Sequence, residues 1–252
     1  MLIDFTGKTA IVTGGAGGIG RSVVKVLLQS NAKVAIFGRS RTSLDEAVAE
    51  LSAFGTVKGY AVDISDTDTI APAVKSVREE MGEVSILIQC AGQMGGNAGL
   101  NITPDEWDRA MNINTRGLFF VMQQVVLQSM KDLGGGAIVN LSSMAGIRGM
   151  HFPMCCQWYA ASKGAVVAIG KQAAVEWANL GVRCNTICPG GVATPAMQGR
   201  EMPPEIIDPI PMKRLCDPEE IANAAAFLVS DLCCTLTGQT IVIDGGASVV
   251  GY

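Results

Sequence analysis

A tyrosine and a lysine stand four positions apart in this chain, as Tyr159 and Lys163. On a helix this spacing is about one turn, so both side chains project from one face. Free tyrosine has a pKa near 10 and is a poor base at neutral pH, and lowering that pKa by roughly three units takes about 4 kcal/mol. A neighbouring ammonium favours the phenolate and can supply part of that energy. The pair therefore predicts proton transfer by the tyrosine; alternatively, the lysine lies on a solvated face.

Two serines, Ser142 and Ser143, follow the apolar segment 138–141, which has the composition of a buried strand. In doubly wound sheets the active site lies at the carboxyl ends of the strands. A hydroxyl at this place can donate a hydrogen bond to a substrate oxygen that becomes an alkoxide.

Residues 13–20 form a glycine-rich turn between a predicted strand and a predicted helix. Glycines permit a tight turn and close approach to a pyrophosphate, which the N-terminus of the helix attracts. The segment predicts a dinucleotide phosphate site, and the alternative is a plain glycine-rich turn. Two registers fit the residues, namely G-x-G-x-x-G through Gly15, Gly17 and Gly20, and T-G-x-x-x-G-x-G through Gly14, Gly18 and Gly20.

Short β-branched segments alternate with longer helical patterns along the whole chain. Alternation of this kind specifies a parallel sheet with helices on both faces. Thr103 and Glu106 form a predicted capping box that opens a long helix, and Gly181 ends another. The sequence therefore predicts an α/β fold, a single-domain doubly wound parallel sheet (Rossmann fold). The predicted strands are 9–13, 33–37, 57–62, 85–89, 137–141, 182–187 and 240–243, and the predicted helices are 18–30, 42–53, 67–81, 104–130, 158–180 and 217–230.

The chain of 252 residues predicts one dinucleotide-binding and catalytic domain, residues 1–252, with a proline-rich substrate-side loop at about 189–216. Its net charge is −4 and no basic run stands out, so neither nucleic acid nor a membrane is an expected partner. We expect no transmembrane helix and no signal peptide. Eight cysteines without a Cys-x-x-Cys motif and a single histidine predict reduced thiols, no metal site and a cytoplasmic location.

These motifs, in this order over nearly the whole chain, resemble the classical short-chain dehydrogenases/reductases. The resemblance implies the register through Gly14, Gly18 and Gly20. Gln89 and Cys90 stand where the family usually has asparagines. The segments that carry the resemblance are 13–20, Cys90-Ala91-Gly92, Met111-Asn112-Ile113-Asn114, Ser142-Ser143, Tyr159-Ala160-Ala161-Ser162-Lys163 and 189–194. The cofactor-binding positions it implies are Thr13, Gly14, Gly18, Ile19, Gly20, Asp63, Ile64, Ala91, Gly92, Tyr159, Lys163, Pro189, Gly190, Val192 and Thr194.

The resemblance also implies a catalytic set of Asn114, Ser143, Tyr159 and Lys163. The implied reaction is reversible hydride transfer between a nicotinamide cofactor and a carbonyl or secondary alcohol. Tyr159 would donate the proton to the alkoxide and Ser143 would hydrogen-bond the same oxygen. Lys163 would lower the tyrosine pKa and hold the ribose hydroxyls, and Asn114 would position a water for proton relay. Two other functions stay open: a cofactor-binding sensor without catalysis, and lyase or epimerase chemistry.

The substrate-side segments 92–100, 144–158 and 194–212 contain only Arg148 and Arg200 as possible clamps for an anionic substrate. We therefore expect an apolar ketone or alcohol, whether cyclic, steroid-like or aromatic; a 3-oxoacyl group on an acyl carrier is the alternative. The segment between Ser143 and Tyr159 is longer than is common in the family, and its apolar side chains predict a pocket wall or a subunit contact. Further hypotheses within it are His151 as a second acid or base and Cys155-Cys156 as a redox pair.

Two predicted helices are nearly without charge on every face. Residues 117–130 contain no charged side chain, and residues 157–180 contain only Lys163, Lys171 and Glu176. A helix that rests on a sheet should present a polar outer face to solvent. The sequence therefore predicts a homo-oligomer, a tetramer, in which these faces meet other copies of the chain.

The end of the second predicted strand bears on the choice of cofactor. An acidic residue there would bind the adenosine ribose and repel a 2′-phosphate. Gly38 occupies that place and carries no charge, and Arg39 and Ser40 follow it. Arginine offers a planar fork for phosphate, and the serine can add a hydrogen bond. NADP is therefore the predicted cofactor; with NAD, the alternative, Arg39 would stack on adenine or be solvated.

Overall fold

Seven parallel strands form a sheet in the computed structural model, which describes residues 3–94, 99–150, 156–194 and 203–250. The strands are β1 (Thr9–Thr13), β2 (Lys33–Gly38), β3 (Val57–Ala61), β4 (Val84–Gln89), β5 (Gly136–Leu141), β6 (Val182–Pro189) and β7 (Thr240–Ile243). Their spatial order is β3-β2-β1-β4-β5-β6-β7. The helices are α1 (Gly18–Gln29), α2 (Arg41–Leu51), α3 (Ile70–Met81), α4 (Pro104–Met111), α5 (Leu118–Val125), α6 (Lys131–Leu133), α7 (Gln157–Glu176), α8 (Pro204–Ile207) and α9 (Pro218–Val229).

Alternate side chains of each central strand enter two separate cores. In β1, Val12 packs in the core that α1 and α9 cover, whereas Ile11 packs in the core that α3, α5 and α7 cover. In β4, Ile88 and Leu87 divide in the same way. This two-residue period is what a sheet covered on both faces requires. The predicted α/β doubly wound parallel sheet is confirmed.

The strand order reverses between β1 and β4, and this is where the sheet opens a crevice. From β1 the chain proceeds outward to β2 and β3, then crosses back to β4 on the other side. Beyond the last pairing of the two strands, the Cys90 N–H donates to the Thr13 carbonyl (3.0 Å) and the Ala91 N–H donates to Thr13 Oγ1 (3.2 Å). Ligands of doubly wound sheets bind at such a switch point, outside the carboxyl ends of the strands.

The helix predicted over 104–130 is interrupted by two wider, π-helical turns, Asn112–Gly117 and Val126–Met130. The first turn packs against the loop after β3, where a Cβ on Gly117 would overlap the Ile64 carbonyl oxygen. The Gln89 side chain also donates to the carbonyl of Leu118, just beyond this turn (3.0 Å). Such turns are frequent at functional sites, and this one contains Asn114.

The predicted helix ends agree with the observed capping groups. Thr103 and Glu106 form the predicted capping box of α4. The helix predicted over 158–180 is α7 followed by a 3₁₀ turn, Ala178–Leu180, and Gly181 then adopts the left-handed conformation with φ 73°. Among the described residues, no helix is both long and apolar enough to cross a membrane.

Candidate active site

Ser142 and Ser143 end β5 with their hydroxyls in different surroundings. The Ser142 side chain is buried and its hydroxyl donates to the Lys163 carbonyl (2.7 Å). Ser143 is half-buried, and its oxygen accepts a hydrogen bond from the Ala145 N–H (3.1 Å). Because an accepted bond leaves the hydroxyl proton available, Ser143 is the serine that can donate to a ligand.

Tyr159 and Lys163 lie one turn apart on α7, as their spacing predicts. The Lys163 ammonium lies 5.8 Å from the centre of the Tyr159 ring. The same ammonium donates to the carbonyl of Leu141, the residue before Ser142 (2.9 Å). This bond joins the tyrosine–lysine pair to the end of β5 that carries the serines.

Lys163 is a buried cation with an altered acidity. Burial lowers the pKa of its ammonium from 10.5 to about 8. Burial also raises the pKa of the Cys90 thiol to about 12, so Cys90 is a neutral neighbour at physiological pH. A cation held away from water acts strongly on adjacent groups, because solvent screens it little.

Asn114 lies in the π-helical turn with its amide already engaged. Its Oδ1 accepts from the Gln93 N–H (2.7 Å), and its Nδ2 donates to the Gln93 carbonyl (2.9 Å) and to Ser162 Oγ (3.0 Å). A Cβ on Gly92 would lie 3.3 Å from Lys163 Nζ and 3.4 Å from Asn114 Oδ1. Asn114 therefore clamps the segment after β4 beside the lysine, and the bonds of its amide go to protein groups.

The glycine-rich turn follows the register through Gly14, Gly18 and Gly20. Gly14 and Gly18 have φ of +68° and +51°, which favour glycine, and a Cβ on Gly20 would overlap the Gly14 carbonyl oxygen. Gly17 has extended backbone and open space around its missing side chain. We call residues 14–20 the glycine cradle.

The cradle fits the phosphates of a dinucleotide. Gly17 precedes α1, and no described side chain caps the amides at this helix end. Free N–H groups at a helix N-terminus attract anions. Ile19, in the first turn of α1, is half-buried and packs on the adjoining core. Thr194 approaches from β6, with its methyl 3.8 Å from where a Cβ on Gly18 would lie.

The other predicted cofactor positions lie along the same edge of the sheet. Asp63 follows β3, and its Oδ1 accepts from the hydroxyl (2.7 Å) and the N–H (3.0 Å) of Ser65. After β6, the Gly190 N–H donates to the Ile243 carbonyl (2.9 Å). Thr13, Ala91 and Gly92 line the switch point, Ile64 lies next to Asp63, and Pro189, Val192 and Thr194 flank Gly190.

Arg39 and Ser40 follow β2, at the carboxyl end of that strand. Both are exposed, and Ser40 caps α2 by accepting from the Ser43 N–H (3.2 Å). Within the described part of the chain, Arg39 forms no ion pair, whereas Arg41 pairs with Asp45. The Arg39 guanidinium is therefore available to an anion.

Several predicted residues lie outside the part of the chain that the structure describes. They are Arg200, His151 and Cys155. Sequence reasoning assigned no role to Ser162, inside the tyrosine–lysine motif, which accepts from Asn114 and donates to the Tyr159 carbonyl (2.8 Å). Its only signal was a polar residue type at a buried position. Gln89, which the sequence marks as a departure from the family's asparagine, donates to Leu118 and Asn140.

A switch-point cradle beside a serine, tyrosine and lysine defines a class, the dinucleotide-dependent oxidoreductases of the doubly wound type. Residues 14–248 match the family model described as enoyl-(acyl carrier protein) reductase. The chain belongs to the classical short-chain dehydrogenase/reductase family, as its motifs predict. It is an oxidoreductase that acts on CH–OH groups with a nicotinamide cofactor.

Relatives with different substrates are similar to this chain to the same degree. The 3alpha-hydroxysteroid dehydrogenase of Mediterraneibacter gnavus is 34% identical over 98% of this chain and 99% of its own length. The 3-oxoacyl-acyl-carrier-protein reductase FabG of Thermotoga maritima is also 34% identical, over 95% of this chain and 97% of its own length. The solved structure of ElxO with NADP bound has a TM-score of 0.89 at 26% identity, covering 96% of this chain and 99% of that one. Identity to these relatives therefore does not distinguish a steroid from an acyl-carrier substrate.

Proposed function

We propose that this protein interconverts an apolar ketone and its secondary alcohol with NADP as the cofactor. The observation that carries the proposal is one hydrogen bond, from Lys163 Nζ to the Leu141 carbonyl (2.9 Å). It ties the tyrosine–lysine pair of α7 to the serines that end β5. The same lysine lies at the switch point, because a Cβ on Gly92 would be 3.3 Å from Lys163 Nζ.

The four proposed catalytic residues divide the work of one proton transfer. A bound nicotinamide cofactor supplies or accepts the hydride at the carbonyl carbon. The Tyr159 hydroxyl donates its proton to the carbonyl oxygen, and the Ser143 hydroxyl hydrogen-bonds that oxygen as its charge grows. The buried ammonium of Lys163 stabilises the tyrosinate that remains. Asn114 holds the segment after β4 in place through Gln93, and it would position a water that links Lys163 to solvent for proton relay.

The residues proposed to hold the cofactor would each bind a different part of it. The glycine cradle would bind the pyrophosphate, and Asp63 with Ile64 would face the adenine. Ala91 and Gly92 would line the ribose, where Lys163 would bind its hydroxyls. Residues 189–194 would hold the nicotinamide carboxamide.

Exposed apolar side chains in the substrate-side segments support an apolar substrate. Three of them are Leu100, Ile147 and Met212, one from each of the segments 92–100, 144–158 and 194–212. The turn of Leu100 is tied to the start of α7, because the Gly99 N–H donates to Gln157 Oε1 (3.0 Å). We call these three side chains the apolar rim.

Arg148 is not presented as a clamp for an anion. Its guanidinium donates to the carbonyl of Ala247 in the C-terminal segment, where the Met212 N–H also donates to the Gly245 carbonyl (3.2 Å). Arg148 therefore connects the segment of Ile147 to the C-terminal segment, which also contacts Met212. This use of the one described arginine in these segments favours an uncharged ligand over an acidic one.

The substrate class is tested by comparing kcat/KM on two compounds with NADPH. One is an apolar cyclic ketone, such as a steroid ketone, and the other is a 3-oxoacyl thioester. We expect the cyclic ketone to be preferred by at least about tenfold. A preference for the thioester would instead support the 3-oxoacyl reductase activity named for the Thermotoga relative. Nucleotide binding without turnover on either compound would favour the sensor.

The proposal of NADP rests on Arg39. It is exposed and without an ion pair among the described residues, and Gly38 before it brings no negative charge to repel a 2′-phosphate. NADP is bound in the related ElxO structure. NAD is the alternative, and the ratio of kcat/KM for NADPH and NADH distinguishes the two cofactors.

We further propose that the chain forms a homotetramer in the cytoplasm. Leu127, in the second π-helical turn, and Val175, on α7, are large exposed apolar residues on the two helices with few charges, and they support the tetramer.

The described cysteines are free thiols, which supports the location in a reducing compartment. Residues 1–252 would form one catalytic domain with the substrate-side loop at about 189–216. Light scattering at micromolar concentration tests the tetramer, and a monomeric mass would contradict it.

A further inference from the structure

The segment after β5 turns back and rests on α7 at the lysine of the site. Two hydrogen bonds run in opposite directions between these stretches. Ser142 Oγ donates to the Lys163 carbonyl (2.7 Å), and Lys163 Nζ donates to the Leu141 carbonyl (2.9 Å). Ser142 is only 5% exposed, so water does not compete for its bond.

Gly146 brings the same segment against the backbone of the helix. A Cβ at Gly146 would lie 2.6 Å from the Lys163 carbonyl carbon and 2.9 Å from the Gly164 nitrogen. These are main-chain atoms in the interior of α7, which cannot move aside without moving the helix. Gly164, on the side of α7 that faces Gly146, also has no side chain.

Ser143 lies between these two contacts. Ser142 precedes it, and the Gly146 N–H donates to its carbonyl (2.9 Å). We propose that Ser142 and Gly146 are positioning residues that fix the distance between the Ser143 hydroxyl and the Tyr159–Lys163 pair. The inference rests on the proposed function, because it concerns the geometry of that reaction.

The size of the effect follows from the contact distance. An added Cβ at Gly146 must move from 2.6 Å to the 3.4 Å at which ordinary contact begins, a displacement of about 0.8 Å. A misplacement of about 1 Å at a reacting group can cost about 100-fold in rate. Gly146→Ala should therefore lower kcat about 30- to 100-fold, and Ser142→Ala, which removes one bond without adding volume, about tenfold.

The experiment compares Gly146→Ala and Ser142→Ala with Gly149→Ala. Gly149 lies on the same segment, and no heavy atom lies within 4 Å of where its Cβ would be. For each protein we would measure kcat and KM for the ketone, the Kd for NADPH and the melting temperature. We expect kcat to fall in the first two variants with the Kd within twofold of wild type, and Gly149→Ala to match wild type.

Crystal structures of the three variants give a readout that does not depend on turnover. In Gly146→Ala the distance from Ser143 Oγ to the Tyr159 hydroxyl should change by at least about 0.5 Å, whereas Gly149→Ala should superpose on wild type. An unchanged kcat, an unchanged site structure in Gly146→Ala, or a parallel loss of NADPH binding and kcat would overturn the proposal. Wild-type protein without turnover would refute the proposed function instead, and the crystallographic comparison would still decide this one.

Discussion

Replacing Lys163 with methionine should stabilise the cofactor-free protein at neutral pH while abolishing turnover. Burial lowers the pKa of this ammonium from 10.5 to about 8. At about 1.36 kcal/mol per pKa unit, keeping the charge in the fold costs about 3 kcal/mol below pH 8. Methionine removes the charge at similar volume. Loss of the hydrogen bond to the Leu141 carbonyl destabilises the variant by about 1 kcal/mol. The net increase in the free energy of unfolding is therefore about 2 kcal/mol.

The advantage of the methionine variant should disappear as the pH rises. Between pH 8 and 10.5 the folded protein releases the lysine proton before the unfolded chain does. The unfolded chain then binds more protons, so wild-type stability rises with pH in this window. Relative to Lys163→Met, wild type should gain about 2–3 kcal/mol between about pH 7 and about pH 10.

Urea unfolding of the cofactor-free proteins, followed by circular dichroism, measures both quantities. Lys171→Met is the matched control, because Lys171 lies on the same helix with its side chain exposed. Its stability difference from wild type should be small near pH 7, because its side chain stays in solvent. A Lys163→Met protein no more stable than wild type near pH 7, with a difference independent of pH, would refute the argument that burial of this cation is costly.

Three further variants test other parts of the site. Arg39→Ala should raise KM for NADPH at least about tenfold more than KM for NADH, because it removes a charged hydrogen bond to the phosphate, and Arg41→Ala, a paired arginine, should not; equal effects on both cofactors would contradict this. Gly20→Ala should abolish NADPH binding in a fluorescence titration, because the added Cβ would overlap the Gly14 carbonyl oxygen; a wild-type Kd would show that the glycine cradle does not bind the pyrophosphate. Gln89→Leu should lower the free energy of unfolding by about 1 kcal/mol, because the loss of the bonds donated to Leu118 and Asn140 outweighs the removal of the buried Gln89 Oε1, which has no partner among the described residues; an unchanged urea midpoint would refute that.

The strands could be predicted from the sequence because buried parallel strands are apolar segments set between turns. β1 and β7 have the predicted bounds, and β4 begins one residue earlier. The π-helical turn Asn112–Gly117 could not be predicted, because it depends on tertiary packing at Gly117. No periodicity in the residues shows that the Ile64 carbonyl of a neighbouring loop will face Gly117.

The site could be predicted in part for the same reason. The spacing of Tyr159 and Lys163 is local, so a helix alone brings them together. Which of Ser142 and Ser143 faces a ligand depends on the distant carbonyl of Lys163. The bonds of the Asn114 amide likewise involve residues of other segments, so only the fold reveals that it acts as a clamp.

The most direct test of the account is the turnover of Tyr159→Phe with NADPH and an apolar ketone. The change removes one oxygen from the proposed proton donor, so kcat should fall about 100-fold or more while the Kd for NADPH stays within twofold. Tyr60→Phe is the matched control, because it removes a hydroxyl that bonds only to Glu80 among the described residues (3.0 Å), and its kcat should match wild type. A Tyr159→Phe protein that keeps more than a few per cent of wild-type kcat would contradict the role of Tyr159 as the proton donor.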